Sequence, residues 1–149
     1  LNGSFMRRRN RPIVIETHAL YSEAWWTLKV HAIRVLLIFY TKRKLGKRRD
    51  SKGNMRYPIL NNGEIVFTYR EAFEKYGMVP KKFCGAIDDL VDKGFLEITY
   101  QGTGPGDPST YMLSDRWHQY GTDNFKSAPQ RRKRNDPNGG WNIHNARNK

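Results

Sequence analysis

The stretch from Asn61 to Ser114 constrains the fold most, because helix starts, helix stops and strand signals follow one another there at short intervals. Asn61-Asn62-Gly63 is a turn signal, and the β-branched and aromatic run Glu64-Ile65-Val66-Phe67 predicts a small strand. Thr68 and Glu71 have the spacing of a capping box, in which each side chain satisfies a backbone N–H left free at a helix start. Gly77 closes that helix, and Pro80, pre-set for a first helical turn, opens another after a three-residue joint. Phe83, Ala86, Ile87, Leu90 and Val91 then recur at helical spacing on one face, and Gly94 suits a left-handed C-terminal position. Two short helices with such a joint have the size of a helix-turn-helix. Beyond them, Phe95 to Tyr100 predicts a strand, Gln101 to Ser109 a loop rich in Gly and Pro, and Thr110 to Leu113 a returning strand.

With these residues in this order, the segment resembles the winged helix-turn-helix superfamily, whose pattern leaves the second helix through a Gly-Phe-Leu exit, here Gly94-Phe95-Leu96, into a two-stranded wing. The resemblance covers residues 61 to 114 strictly, and more if the preceding helix is included. It implies an α+β fold, a three-helix core with a small antiparallel β-sheet, and double-stranded DNA as the partner. The pattern from His18 to Trp25, a long helix, a basic gap and then Asn61 to Ile65 is similar to a winged-helix group of phages, plasmids and integrated elements, some of them resembling replication initiators or regulators. Lys29 departs from that group's pattern, which often places a serine or proline cap there.

Charge is distributed unevenly around this segment. The chain of 149 residues carries a formal charge of +13, a balance that attracts polyanions whatever the fold. Residues 1 to 57 hold 14 Lys and Arg against 3 acids, residues 58 to 125 hold 6 against 10, and residues 126 to 149 hold 7 against 1. The expected organisation is therefore a flexible basic arm over 1–12, a winged-helix domain over 13–125 with a basic loop at 41–57, and a basic, disordered tail over 126–149. The arm carries Arg7, Arg8, Arg9 and Arg11; the loop carries Lys42, Arg43, Lys44, Lys47, Arg48, Arg49, Lys52 and Arg56; the tail carries Arg131, Arg132, Lys133 and Arg134. The loop has more cations than favourable placement at a helix C-terminus requires, so phosphate contact is the expected role.

Thr17 to Tyr40 is mostly helical in character, with Ser22 as an N-cap and a break near Thr27. Its second part, Ile33 to Tyr40, is apolar nearly all round, which implies a central helix under the wing, with a homodimer contact as an additional role. The run Val30 to Tyr40 contains His31 and Arg34 and is too short to cross a bilayer, so no membrane partner is expected. Leu1 to Arg11 lacks the apolar core of a signal peptide. Cys84 is the only cysteine, which excludes an intrachain disulfide and a cysteine-based zinc site and suits a reducing cytoplasm. After the wing, Trp117 and Tyr120 are expected to lie back on the core, with Arg116 reaching a phosphate; Trp141 and Ile143 could dock on the domain or on a partner.

The residues suggest binding rather than catalysis. His18, His31, His118 and His144 have no metal-ligand spacing, and Cys84 has no neighbouring base in the sequence. Gly102, Gly104 and Gly106 lack the lysine and helix of a phosphate loop and suit a flexible wing tip. No enzyme activity, metal or cofactor is expected. The first reading is a duplex-DNA binder whose third helix enters a major groove with Lys81 and Lys82 at its start. Cys84 and Gly85 would permit close approach, while Asp88 would either accept from a cytosine amino group or repel the backbone. The second reading is a protein-interaction module, since Asp88, Asp89 and Asp92 give helix 79–93 an acidic face, the tails alone then binding nucleic acid. Single-stranded DNA or RNA is a third, disfavoured because the aromatic residues sit mostly at core spacing.

Overall fold

Ser22 divides the first helical stretch in two. Its hydroxyl accepts from the Trp25 N–H at 3.2 Å, so it caps the short helix α2 (Glu23–Trp26) and at the same place ends α1 (Thr17–Tyr21). These coordinates belong to a computed structural model that describes residues 11–132. Thr27 ends α2, its hydroxyl donating back to the carbonyls of Glu23 and Ala24. The expected single break near Thr27 is thus one of two.

The next helix, α3 (Val30–Thr41), starts at Lys29 without a side-chain cap of its own. Asp89, sixty residues later, supplies one: its Oδ2 accepts the Lys29 N–H at 2.8 Å. Ala32, Val35, Leu36 and Phe39 are fully buried along α3, and Ile33, Ile38 and Tyr40 pack at the margin of the same core. This is the central helix.

The basic stretch after α3, read as a loop, contains a hairpin. Strands β1 (Arg48–Arg49) and β2 (Met55–Arg56) pair antiparallel, with Arg48 opposite Arg56. Asp50 builds the turn, its Oδ1 accepting from the N–H groups of Lys52 and Asn54 and its Oδ2 from Arg56 at 3.1 Å. These bonds hold the Asp50 carboxyl below its ordinary pKa, the bond from Asn54 contributing most. A turn of this kind is carried by Asp, Asn and Gly chemistry, and here that signal is obscured by surrounding charge.

Strand β3 (Ile65–Val66) leads into α4 (Tyr69–Tyr76), α5 (Pro80–Asp92), β4 (Leu96–Tyr100) and β5 (Thr110–Leu113). The three strands form one antiparallel sheet in the order β3-β5-β4. Asn62 fastens its end by donating to the Leu113 carbonyl and accepting the Leu113 N–H. Thr68 caps α4 at the Glu71 N–H, 3.1 Å away, as the spacing predicts. The reciprocal half of the box is redirected, because the Glu71 carboxylate takes the Lys42 ammonium at 2.6 Å and Lys75 at 3.3 Å.

Gly77 ends α4 with φ of 65°, and the Gly77 and Met78 N–H groups return to the carbonyls of Phe73 and Ala72. Gly94 follows α5 with φ of 87°, and a Cβ there would meet the Trp117 nitrogen at 2.6 Å, so the chain passes too closely for any other residue. Phe83, Ala86, Ile87, Leu90 and Val91 turn inward from α5 as predicted. The core centres on edge-to-face contacts joining Phe39, Phe67, Tyr111 and Phe83 at centroid distances of 4.8 to 5.4 Å. Trp117, on a 3-10 turn at Arg116–Gln119, stacks on Phe95, and both are buried.

No helix among the described residues is long and apolar enough to cross a membrane. The result is an α+β domain in which α5 packs on α3 and contacts β4.

Candidate nucleic-acid interface

Burial sorts the residues of α5 into two sets. Inward lie Phe83, Ala86, Ile87, Asp89, Leu90 and Val91; outward lie Lys81, Lys82 and Asp92, with Cys84, Gly85 and Asp88 half-buried between them. Lys81, Gly85, Asp88 and Asp92 recur at helical spacing and form one stripe. The Lys81 and Lys82 side chains make no hydrogen bond or ion pair among the described residues. Gly85 lies toward α3, where a Cβ would meet the His31 Nε2 at 3.9 Å, an ordinary contact.

The three aspartates of α5 have separate fates. Asp89 is buried, capping α3 and pairing with Lys93 at 3.2 Å. Burial lowers the Lys93 pKa, but its hydrogen bonds to Asp92 and Asp89 outweigh that and raise it, so the ammonium persists. Asp88 accepts both arms of the Arg131 guanidinium, at 2.7 and 3.0 Å. Asp92 alone keeps an exposed carboxylate, beside the Lys93 ammonium. The acidic face expected on helix 79–93 is therefore largely absent, because one carboxylate is internal and another is neutralised by the chain's own arginine.

That arginine arrives on a segment expected to be disordered. Residues 126–132 run back across α5: the Lys126 carbonyl accepts from Arg116, Ala128 packs against the core, Gln130 donates to the Asp88 carbonyl, and the Arg132 N–H bonds to Gln101. These residues are the first seven of the tail expected over 126–149. Burial is the main cause that pushes the Tyr111 phenol up to about 12, and it raises the Tyr69 phenol as well, so both remain neutral.

The loop beyond the sheet is cross-linked rather than loose. The Asp107 carboxylate accepts from the Thr103 N–H, the Thr103 hydroxyl and the Tyr100 hydroxyl, and the Gly102 N–H donates to Ser109. These bonds, led by the Thr103 hydroxyl, hold the Asp107 pKa down. Five glycines and prolines suggested flexibility, whereas a single carboxylate organises the turn.

The remaining predicted cations divide clearly. Arg116 was expected to reach a phosphate; instead its guanidinium donates to the carbonyls of Val91, Leu96 and Lys126, with its Nε 3.7 Å from Glu97. Lys42 is held by Glu71, and Arg43 lies over the Tyr40 ring at 4.5 Å while donating to Tyr40 and Val14 carbonyls. Arg49 donates to the Gly53 carbonyl in the β1–β2 turn. Lys44, Lys47, Arg48, Arg11 and Arg132 are exposed, with side chains that bond to nothing among the described residues. Arg7, Arg8, Arg9, Lys133 and Arg134 lie outside the described residues, as do Trp141 and Ile143.

Sequence reasoning missed the Arg131–Asp88 and Asp89–Lys29 pairs, which join residues 43 and 60 positions apart. No local signal announces either. Comparison with protein-family models, curated proteins and solved structures finds no match for the chain.

Proposed function

We propose that the chain is a winged helix-turn-helix protein that binds double-stranded DNA, a regulator or replication-associated factor of a mobile element, with α5 as its reading helix. The α4–α5 pair corresponds to the helix-turn-helix, the β4–β5 hairpin to the wing, and α3 to the helix beneath them. One observation carries the reading: Arg131 pairs with Asp88 on the outward stripe of α5, so the surface headed by unpaired Lys81 and Lys82 is positive despite its aspartates. Docking residues 126–132 there also brings the start of the basic tail to the same face. Lys44 and Lys47 before β1 and Arg48 on it supply further phosphate contacts, and sequence discrimination falls to the few residues of α5 that reach base edges.

The alternative, a protein-interaction module using an acidic α5, loses its motive once Asp89 is internal and Asp88 is paired. The test is a double variant, Lys81→Ala with Lys82→Ala. Both side chains are exposed and unpartnered, so the melting temperature stays unchanged while duplex affinity falls by at least about tenfold. Unaltered affinity would remove α5 from the interface.

A further inference from the structure

Between the start of α3 and the turn joining α4 to α5 there is an open concavity of about 200 Å³. His31 and Arg34, one turn apart on α3, stand on one side, and Lys82, from the first turn of α5, stands on the other. Val30, Tyr76, Gly77 and Met78 complete the lining, which holds no carboxylate among the described residues.

The pairing state of these side chains sets them apart from the other cations near the core. Lys42, Lys93, Arg116 and Arg131 each face a carboxylate. His31, Arg34 and Lys82 have no hydrogen-bond or ion-pair partner among the described residues, although they converge on one hollow. Gathering two permanent cations and an imidazole around an empty concavity costs electrostatic energy, and that cost is offset when an anion sits between them. The concave shape selects a compact anion with several acceptor oxygens, which describes a phosphate group.

We propose that this pocket holds a backbone phosphate of bound duplex, clamped by Arg34 and Lys82 with His31 beside it. The inference rests on the duplex-binding reading, because Lys82 lines the pocket and a Cβ at Gly85 would lie 3.9 Å from the His31 Nε2, which places the pocket at the margin of the α5 stripe. It adds α3 to the interface and assigns Lys82 to the backbone, leaving Lys81 as the lysine of the pair available to base edges. A free phosphate or nucleotide offers the same oxyanion, so the experiment separates the two sources.

The variants are Arg34→Gln and Arg34→Lys in the full chain. Arg34 is exposed and unpartnered, so neither change disturbs folding, which thermal melting verifies. Duplex binding is measured against salt for wild type and both variants. In parallel, NMR follows the Gly77 and Met78 amides and the His31 ring during titration with duplex, with inorganic phosphate and with a nucleoside triphosphate.

Loss of one phosphate contact lowers the log-log salt slope by about 0.9. Arg34→Gln is expected to show that drop, with affinity lost equally for unrelated duplex sequences, and to lose the duplex-induced shifts at His31 and Gly77. Arg34→Lys keeps the slope near that of wild type. If wild type and Arg34→Gln bind duplex with the same affinity and slope, the pocket assignment is overturned while duplex binding stands. If wild type binds no duplex, yet phosphate or nucleotide shifts His31 in wild type and not in Arg34→Gln, the backbone source and the duplex reading both fall.

Discussion

Asp89→Ala is expected to destabilise the fold by about 3 kcal/mol, because one carboxylate serves two partners, the Lys29 N–H and the Lys93 ammonium. Its side chain is 8% exposed and that of Lys93 is 13% exposed, so solvent screens the pair only weakly. Removing the carboxylate strands the Lys29 N–H at the start of α3, where no other cap exists. It also leaves the Lys93 ammonium with only the exposed Asp92 and the face of Tyr120, 5.5 Å away. Asp89→Asn keeps an acceptor for the Lys29 N–H and loses the charge, so its effect is smaller. Urea unfolding measures both: the midpoint falls in the order wild type, Asn, Ala, with an unchanged slope against denaturant. An Ala variant as stable as wild type would show that α3 and α5 are not joined through Asp89.

Reversing the Arg131 charge is expected to weaken duplex binding by more than about tenfold while changing stability little. Arg131 and Asp88 are 23% and 34% exposed, so their pairing contributes at most about 1 kcal/mol to folding. For a polyanion the same change is large. Arg131→Glu removes one positive charge, adds a negative one beside Asp88 and presents two carboxylates to the phosphates. A rescue identifies the cause. Arg131→Gln alone weakens binding, whereas Arg131→Gln with Asp88→Asn leaves the local net charge as in wild type and recovers affinity to within a few-fold of it. Tighter binding by Arg131→Glu would instead mean that the docked segment shields α5 from DNA.

The parts of this architecture legible in the sequence are those fixed by chemistry within a few residues. Thr68 caps α4, Pro80 opens α5, and Gly77 and Gly94 adopt positive φ, because each solves a problem posed by its immediate neighbours. The inward face of α5 was legible for the same reason, since periodicity is a local property. Asp89 shows the limit. In the sequence it is one of three acids on a helix; in the fold it faces inward, and its partner is a backbone N–H on another helix. The β1–β2 hairpin was obscured by its composition, because eight cations in residues 42–56 drew attention away from the Asp50 turn. Arg116 and Arg131 belong to cationic stretches that suggest phosphate, yet their first partners are carbonyls and a carboxylate of the same chain. A charge pattern therefore does not single out the residues free to meet a partner; Arg34 and His31, overlooked within an apolar helix, are unpaired among the described residues where Arg116 is not.

The most direct test of the central claim is duplex binding as a function of salt, comparing the full chain with the segment 11–132. Removing residues 1–10 and 133–149 deletes the arm cations Arg7, Arg8 and Arg9 and much of the basic tail, but leaves α5, Arg131 and the β1–β2 hairpin in place. Each lost phosphate contact takes about 0.9 from the log-log slope. The trimmed chain is predicted to bind duplex with a shallower slope and with appreciable affinity at moderate salt. Disappearance of binding on trimming would assign all nucleic-acid affinity to the ends and contradict a DNA-reading role for α5.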